Sequence, residues 1–406
     1  MKKSLWGGHR TRAVAKASDQ PRNEYYENIS ARLGIFQVIL FLSLFAFVVL
    51  AVLANTNLIT YQNFYHFFKD LGASAETVDV FNADSVSYLT AEEQSFAVYR
   101  KGLAVAGNNS VTIFSATGRQ LLSVSVSYQS PKAAGAGKYL LVYESGGTKY
   151  SLYNSNVQIH SGESAKPIVG AAVSDSGMYA LISEGVNSTT LVSLYNDRFA
   201  LINQYRKSGY VMGAAISAGG DRIAILTSSS EGASFATTLM LAEPGKGEAI
   251  AETVVGNTAG VRCGFTSSGN VSVLCSGGVT YLDPRGQVFM QYDFEGKLPA
   301  HADLGADGIA VCLKKNVIAP KNIVIVFDKN GKIVYNDSIP NQADQILLQG
   351  NSVFWVYENG VDRLRLSDKA LSSKQMQTAQ RVFLAVSEGE LLSCSPQKAV
   401  YVDFDR

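Results

Sequence analysis

Downstream of residue 130, small and apolar residues alternate with glycine-containing turns in a pattern that repeats along the chain. Each unit has a small-residue strand, a turn with glycine, an apolar strand, a second turn, and a strand rich in Tyr, Leu and Val. The clearest copies read AAVSDSGMYALIS at 171–183, AAISAGGDRIAILTS at 214–228 and GFTSSGNVSVLCS at 264–276. The turn glycines lie 39 to 49 residues apart, at Gly137, Gly177, Gly220, Gly269, Gly308, Gly350 and Gly389.

A unit of this length with about four strands is typical of a β-propeller blade. Apolar runs such as IAIL and VFWVY do not alternate cleanly, as expected of sheets that pack against neighbours on both faces. Counting an earlier copy at 96–114, the pattern predicts an all-β, eight-bladed propeller over residues 76–406, with seven blades as the alternative. The last unit has room for three strands, so we expect the N-terminal strand 77–81 (Thr77–Phe81) to close it.

Three strands end in a polar residue and a glycine turn before a new strand begins. These turns are Phe114–Gly118, Tyr281–Gly286 and Val326–Gly331. They provide the positive-φ position that a tight hairpin needs. The longest repeat step contains SSSEGAS at 228–234, which we interpret as an exposed loop.

Residues 33–54 form an apolar run without charge, interrupted by Gln37 and Ser43. A helix needs about 20 apolar residues to cross the hydrocarbon core. The run is longer than the apolar region of a cleaved signal peptide, so it predicts an uncleaved transmembrane anchor. Seven Lys and Arg residues precede it, whereas the first basic residue after it is Lys69. The positive-inside rule therefore places a basic, disordered tail (1–32) in the cytoplasm and the propeller outside the membrane.

The next segment, 55–75, is predicted to be a helical stalk beside the membrane. Six large residues follow helical spacing or widen the apolar stripe: Leu58, Tyr61, Phe64, Tyr65, Phe67 and Phe68. They suit either the aromatic belt of a membrane interface or a seam that binds a partner. His66 lies among them with no second ligand nearby, so we assign it no metal or proton chemistry.

Two turns, Tyr281–Gly286 and Val326–Gly331, share one residue order: an apolar residue, Asp, two further residues and Gly before a new strand. This hairpin motif resembles that of quinoprotein-like and YVTN-type propellers. The WD-repeat signature is missing, because the blades contain no Trp-Asp or Gly-His pair. The whole layout resembles an uncharacterised Gram-positive family of single-pass, membrane-anchored extracytoplasmic propellers. That resemblance covers almost the full chain and implies location and fold, with no assigned activity.

Composition and motifs narrow the chemistry. A formal net charge of +1 gives no reason to expect nucleic acid as a partner. No GxSxG, HExxH or Walker sequence is present, and the Asp residues of the repeats fall in turns. His160 and His301 belong to different units, so we expect no three-histidine metal site. Trp355 is the only Trp of the repeats, so the repeats lack the Trp docking pattern of quinone-dependent dehydrogenases. We therefore predict no catalytic residue, metal or cofactor.

The four cysteines, Cys263, Cys275, Cys312 and Cys394, include no CxxC pair. Cys263 and Cys275 flank a turn, so they could pair across two strands. The alternative is that all four are small buried hydrophobes, the usual environment of a free cysteine.

Two functions fit this pattern. The first is a membrane-tethered scaffold for protein–protein interaction or assembly at the cell envelope, since propellers present broad rigid faces. The alternative is a ligand-binding sensor or an enzyme with a site in the central channel, lined by strands near Ala172, Ala215, Gly264 and Leu304. Expected partners are membrane lipid around the single helix and a protein on a propeller face or the stalk.

Overall fold

The computed structural model describes residues 24–54, 85–154, 157–185, 189–231, 234–314, 322–379 and 381–405. Helix α1 (Glu24–Ala54) covers the predicted membrane span and also includes residues 24–32 of the predicted disordered tail. That prediction is therefore wrong for residues 24–32. The predicted stalk, with His66 and its six aromatic or apolar residues, lies outside the described residues.

The side chains of α1 are described at positions 32–47 and 49, and all of them are exposed. They include Leu33, Phe36, Phe41 and Phe47. Within the part of the chain that the structure describes, no helix is both long enough and apolar enough to cross a membrane.

The remaining described residues form eight four-stranded antiparallel sheets. The first seven blades are consecutive in sequence. Blade 1 has β2 (Gln94–Tyr99), β3 (Gly102–Gly107), β4 (Ser110–Phe114) and β5 (Gln120–Ser125); blade 2 has β6 (Pro131–Ala136), β7 (Tyr139–Glu144), β8 (Lys149–Asn154) and β9 (Val157–Glu163); blade 3 has β10 (Ile168–Val173), β11 (Tyr179–Glu184), β12 (Thr189–Tyr195) and β13 (Leu201–Ser208); blade 4 has β14 (Tyr210–Ile216), β15 (Ile223–Glu231), β16 (Ser234–Ala242) and β17 (Ala249–Gly256). Blade 5 has β18 (Gly260–Phe265), β19 (Val271–Cys275), β20 (Gly278–Leu282) and β21 (Val288–Asp293); blade 6 has β22 (Leu298–Gly305), β23 (Gly308–Lys314), β24 (Asn322–Asp328) and β25 (Ile333–Ile339); blade 7 has β26 (Gln345–Gln349), β27 (Ser352–Tyr357), β28 (Gly360–Arg365) and β29 (Leu371–Gln375).

Blade 8 is completed from the N-terminal side. Its three C-terminal strands are β30 (Val382–Ala385), β31 (Glu390–Cys394) and β32 (Lys398–Asp403), and β1 (Ser85–Ser87) pairs with β32 at the edge. Eight blades are therefore confirmed and the seven-blade alternative is wrong. The predicted closing strand, Thr77–Phe81, lies outside the described residues; the strand that completes the sheet is Ser85–Ser87.

The blades close into a ring around an axis. Each innermost strand contacts the innermost strands of both neighbouring blades, and β30 contacts β2. Successive side chains of a strand point to opposite faces. Leu140 and Val142 of β7 therefore pack against blade 1, while Tyr139 and Leu141 pack against blade 3. This two-sided packing explains why the strand YLLVY is apolar throughout.

The turns between third and fourth strands follow one rule. Asp283 Oδ1 accepts the backbone N–H groups of Arg285 and Gln287 at 2.8 Å, and Asp328 Oδ1 does the same for its own turn at 2.9 Å. Gly118, Gly286 and Gly331 supply the positive φ, and a one-residue bulge follows each turn. The predicted hairpins are confirmed in these turns.

The interpretation of residues 228–234 as a long loop is wrong. Strand β15 continues to Glu231 and β16 begins at Ser234, so strand pairing extends almost to the tip. The cross-strand pairs Ser229↔Ala236 and Ser230↔Phe235 show that this segment is a paired β-ribbon. Ser, Thr and Phe suit paired strands once a hairpin register is set.

Candidate functional site

The alternating strand directions give the propeller two distinct faces. The turns from first to second strand and from third to fourth strand share one face, where β1 also begins; we call it the entry face. Contacts between turns of neighbouring blades confirm this grouping: Ser268 Oγ donates to Lys329 O at 2.9 Å, and Arg222 Nη1 donates to Pro284 O at 2.8 Å. On the opposite face, each innermost strand begins.

The innermost strands line the central channel and are rich in Ala and Gly in blades 2 to 4. The four residues from which the sequence predicts channel-lining strands, Ala172, Ala215, Gly264 and Leu304, do lie in innermost strands. Small side chains suit the crowded centre of a ring, where eight backbones approach one another. The strands begin earlier than predicted, and their first residues are more informative.

Four consecutive innermost strands carry a β-bulge near their start. The register skips Val169 in β10, Met212 in β14, Val261 in β18 and Ala300 in β22. The other four innermost strands show no such shift. A bulge leaves one residue outside the ladder and redirects its side chain. Blades 3 to 6 therefore differ from the rest at the channel.

The bulged residues expose apolar side chains at the opposite face. Val169, Met212 and Val261 are 42 to 46% exposed. No strand lies inside the innermost ones, so this exposure is to the channel. Three further exposed apolar residues begin innermost strands: Tyr210 in blade 4, Leu298 in blade 6 and Val382 in blade 8. We call these six residues the channel mouth.

Polar side chains of the innermost strands mainly bind the next blade. Gln345 Nε2 donates to Phe383 O at 2.7 Å, and Gln345 Oε1 accepts from Phe383 N at 3.1 Å. Asp303 Oδ2 accepts from Leu348 N at 2.9 Å. These bonds occupy the free backbone edge that an innermost strand presents to the channel. They tie blades 6, 7 and 8 together at the axis.

Charged and titratable groups also lie along these strands. Lys132 and Arg262 are exposed near the strand starts, and His301 is half-buried. Burial lowers the pKa of His301, the Lys314 ammonium lowers it further, and Asp344 opposes the shift. His301 is therefore held in its neutral form at neutral pH.

His160, unlike His301, lies far from the channel, on the outermost strand of blade 2. Its ring stacks on Phe199 with centroids 4.4 Å apart and lies 5.7 Å from the Tyr150 ring. Burial lowers its pKa. Across the described ranges, no group of His, Cys, Asp and Glu side chains is arranged to hold a metal ion.

All four cysteines are free and buried, so the disulfide alternative is wrong. In the ladder Cys263 lies opposite Val273, whereas Cys275 lies opposite Gly260. Both thiols instead pack in the core between blades 4 and 5. Burial raises the pKa of Cys263 to about 12 and that of Cys275 to about 11.

Sequence reasoning missed the channel mouth, and its own site residues, Leu58 to Phe68, lie outside the described residues. One local signal existed: Val169 and Met212 each stand directly before a glycine, which within a strand often marks a bulge. Arg262 follows Val261 without such a signal.

Comparison with known proteins places the chain in a family. Residues 78–399 match the model of a "Family of unknown function (DUF5711)". The chain belongs to this family. No curated protein is similar in sequence.

Solved structures with the same fold are distant in sequence. The C-terminal WD40 domain of Sif2 shares 11% identity over 78% of this chain and 97% of its own, with a TM-score of 0.58. Chaetomium thermophilum Sqt1, bound to the N-terminus of ribosomal protein L10, shares 10% over 79% and 99% with a TM-score of 0.55. BamB from Moraxella catarrhalis shares 11% over 79% and 99% with a TM-score of 0.52. These similarities establish the β-propeller fold.

Proposed function

We propose that this protein is a membrane-tethered scaffold that binds a protein partner at the channel mouth. The observation that supports this most directly is the set of bulged, exposed apolar side chains at Val169, Met212 and Val261. A bulge sacrifices ladder pairing, and exposed apolar surface favours association. Both features recur in neighbouring blades at one end of the channel.

The expected contribution of these side chains is sufficient for a binding centre. Full burial of a Val or Met side chain is worth about 1.5–3 kcal/mol. With nearly half of each surface still available, the three residues would supply roughly 2–4 kcal/mol on binding. Exposed Lys132 and Arg262 provide a polar border, as protein interfaces usually have. Sqt1, which has this fold, holds the N-terminus of another protein, so a propeller of this kind can accept a peptide.

The tether is the second part of the proposal. It is supported by the uncharged apolar run at 33–54 of the sequence. The excess of Lys and Arg before the run favours a cytoplasmic N-terminus and an extracytoplasmic propeller at the cell envelope. Protease added to sealed cells should remove the propeller and spare the tail. Protection of the C-terminal half would refute this orientation.

The scaffold is tested by substitutions at the mouth. A tagged full-length chain is cross-linked in native membranes, purified and compared with Met212→Glu and Val261→Asp. Val254→Asp is the control, because Val254 is at 60% even more exposed than Met212 and Val261 but lies on an outermost strand. We expect both mouth variants to lose the co-purifying partner and the control to keep it. Recovery of the same partner by all variants would refute the proposal.

A sensor or enzyme with a site in the channel is the alternative hypothesis. No observation in the described residues favours it over the scaffold, since Asp303 and Gln345 are engaged by backbone groups. We therefore propose no catalytic step and no cofactor.

A further inference from the structure

The innermost strands carry few charged side chains, and the exposed ones have one sign. All eight of these strands lie within the described residues, and their only Asp, Glu, Lys and Arg residues are Lys132, Arg262 and Asp303. Lys132 and Arg262 are exposed. Both carboxylate oxygens of Asp303 accept backbone N–H groups, from Leu304 at 3.0 Å and from Leu348 at 2.9 Å. The described innermost strands therefore offer two exposed cations and no free carboxylate.

The two cations stand at the ends of the apolar arc that the bulged residues of blades 3 to 5 form. Lys132 lies opposite Tyr143, on the side of blade 2 that faces blade 3. Arg262 lies opposite Leu274, on the side of blade 5 that faces blade 6. In ring order, the three bulged apolar side chains come after Lys132 and before Arg262. A partner segment that covers these side chains therefore extends from one cation to the other.

The connections that enter blades 2 to 5 add no negative charge beside the channel. They comprise residues 126–130, 164–167, 209 and 257–259. Their one charged side chain is that of Lys166, which is exposed. The part of the channel mouth that carries the bulges is therefore bordered by basic groups.

Acidic residues on the same face lie elsewhere. In the other half of the ring they precede the innermost strands of blades 1, 6 and 7: Glu92, Glu93, Glu295 and Asp344. Glu295 forms an ion pair with Lys297 at 2.9 Å. In blades 2 to 5 they lie on strands further from the axis: Glu144, Glu163, Glu184, Glu231, Glu252 and Asp293. The positive charge is thus confined to the inner edge of blades 2 to 5, next to the apolar arc.

Charge complementarity identifies the chemistry of the occupant. We infer that the partner segment at the channel mouth is an apolar peptide with a carboxylate, which Lys132 and Arg262 bind. Complementary charges across an interface fix the register of the partner, and like charges disfavour the wrong one. A basic segment would therefore be rejected. This inference rests on the proposed scaffold function and adds the chemistry of its partner. The carboxylate belongs to an Asp or Glu side chain or to a peptide C-terminus, and the test separates these sources.

The test uses the purified full-length chain and three pools of short peptides labelled with tetramethylrhodamine. All pools have randomised Leu, Val, Ala and Ser positions around one fixed residue. The first has an internal Glu and an amidated C-terminus, the second an internal Gln and an amidated C-terminus, and the third an internal Gln and a free C-terminus. Fluorescence anisotropy measures binding of each pool.

Three substitutions separate the two cations from charge elsewhere on the propeller. Lys132→Gln and Arg262→Gln each remove one cation from the channel mouth and keep a polar side chain. Arg206→Gln is the matched control, because Arg206 is an exposed arginine on the outermost strand of blade 3. An unchanged urea midpoint verifies that each variant folds.

We expect the Glu pool or the free C-terminus pool to bind more tightly than the amidated Gln pool. Each cation engaged should contribute about 2- to 5-fold, as expected for an exposed ion pair. Lys132→Gln and Arg262→Gln should each reduce that preference, whereas Arg206→Gln should retain it. Higher salt should also reduce it, because salt screens exposed charges.

Two kinds of failure are distinguishable. Equal binding of all three pools would overturn the inference, as would a preference that persists in both Lys132→Gln and Arg262→Gln. If no pool binds while Met212→Glu still loses the co-purifying partner, the inference fails and the scaffold stands. If Met212→Glu and Val261→Asp both keep the partner, the scaffold is refuted and the inference falls with it.

Discussion

The bidentate contact from Gln345 to the Phe383 backbone gives a sharp test of how the ring closes. Blade 8 has a short closing strand, β1, of three residues, so it depends on its neighbours at the axis. Replacing Gln345 with Met keeps the length and apolar stem of the side chain and removes both hydrogen bonds. Each bond contributes about 0.5–1.5 kcal/mol, so the free energy of unfolding should fall by about 1–3 kcal/mol.

The structure also provides the probe and the control. The sequence has two tryptophans, Trp6 and Trp355, so a Trp6→Phe background leaves one reporter. Trp355 is buried in β27, directly paired with the strand that carries Gln345, and its Nε1 donates to Asp362 Oδ2 at 2.9 Å. Urea unfolding followed by its fluorescence therefore reports on blade 7.

Gln349→Met is the matched control on the same strand. Its side chain is half-buried like that of Gln345, and no hydrogen bond of that side chain occurs within the described part of the chain. We expect its unfolding curve to match that of the parent. Equal stability of Gln345→Met and Gln349→Met would refute the argument that these amide bonds hold blades 7 and 8 together.

Three further predictions concern buried and strained groups. The four cysteine thiols should resist Ellman's reagent at pH 8 and react fully in urea, because burial keeps them protonated; prompt labelling of the folded chain would contradict their burial. Since the pKa values of the thiols are raised, the stability gained by burying them in protonated form is complete below the ordinary thiol pKa. It is lost as the pH rises beyond that value. Burial lowers the pKa values of His160 and His301, so the pH dependence is opposite to that of the thiols. The stability gained by burying these neutral imidazoles is complete above about pH 6.5 and falls as the pH decreases below it. A His160→Gln, His301→Gln variant should show a flatter midpoint-versus-pH profile between pH 7 and pH 5, and an unchanged slope would count against this account. Lys369 adopts a φ of 56° in a turn where three other blades have glycine, so Lys369→Gly should raise the unfolding free energy by roughly 0.5–1 kcal/mol. Lys332→Gly, at a position without positive φ, should not stabilise, and equal effects of the two would remove strain as the explanation.

The accuracy of the sequence predictions follows the range of the interactions involved. The turn rule at Asp283 and Asp328 was readable because the carboxylate, the glycine and the bulge lie within a few residues. The extent of strands β15 and β16 was not, because Ser and Gly in SSSEGAS are equally common in loops. Strand pairing there depends on continuation of a register established by the buried residues Ile223 to Leu226.

The candidate site was harder to predict from the sequence, because its defining features do not depend on neighbouring residues alone. Val169, Met212 and Val261 look like ordinary strand residues; apart from the glycine that follows the first two, it is the pairing register that shows each is skipped. The exposed residues Leu201 and Leu371, which begin outermost strands β13 and β29, are a comparable case. Leu201 and Leu371 are more than a hundred residues apart in sequence, and the ring brings them to one level of one face.

The amino-acid sequence by itself determined the repeat, the number of blades and the hairpin turns, because each depends on residue spacing within one strand or turn. The tertiary structure decided which strand completes blade 8, which thiols share a core, where bulges open the channel mouth and which exposed residues share a face. Those outcomes depend on how sheets from distant parts of the chain pack around a common axis. The packing of side chains between blades exists only in the assembled ring.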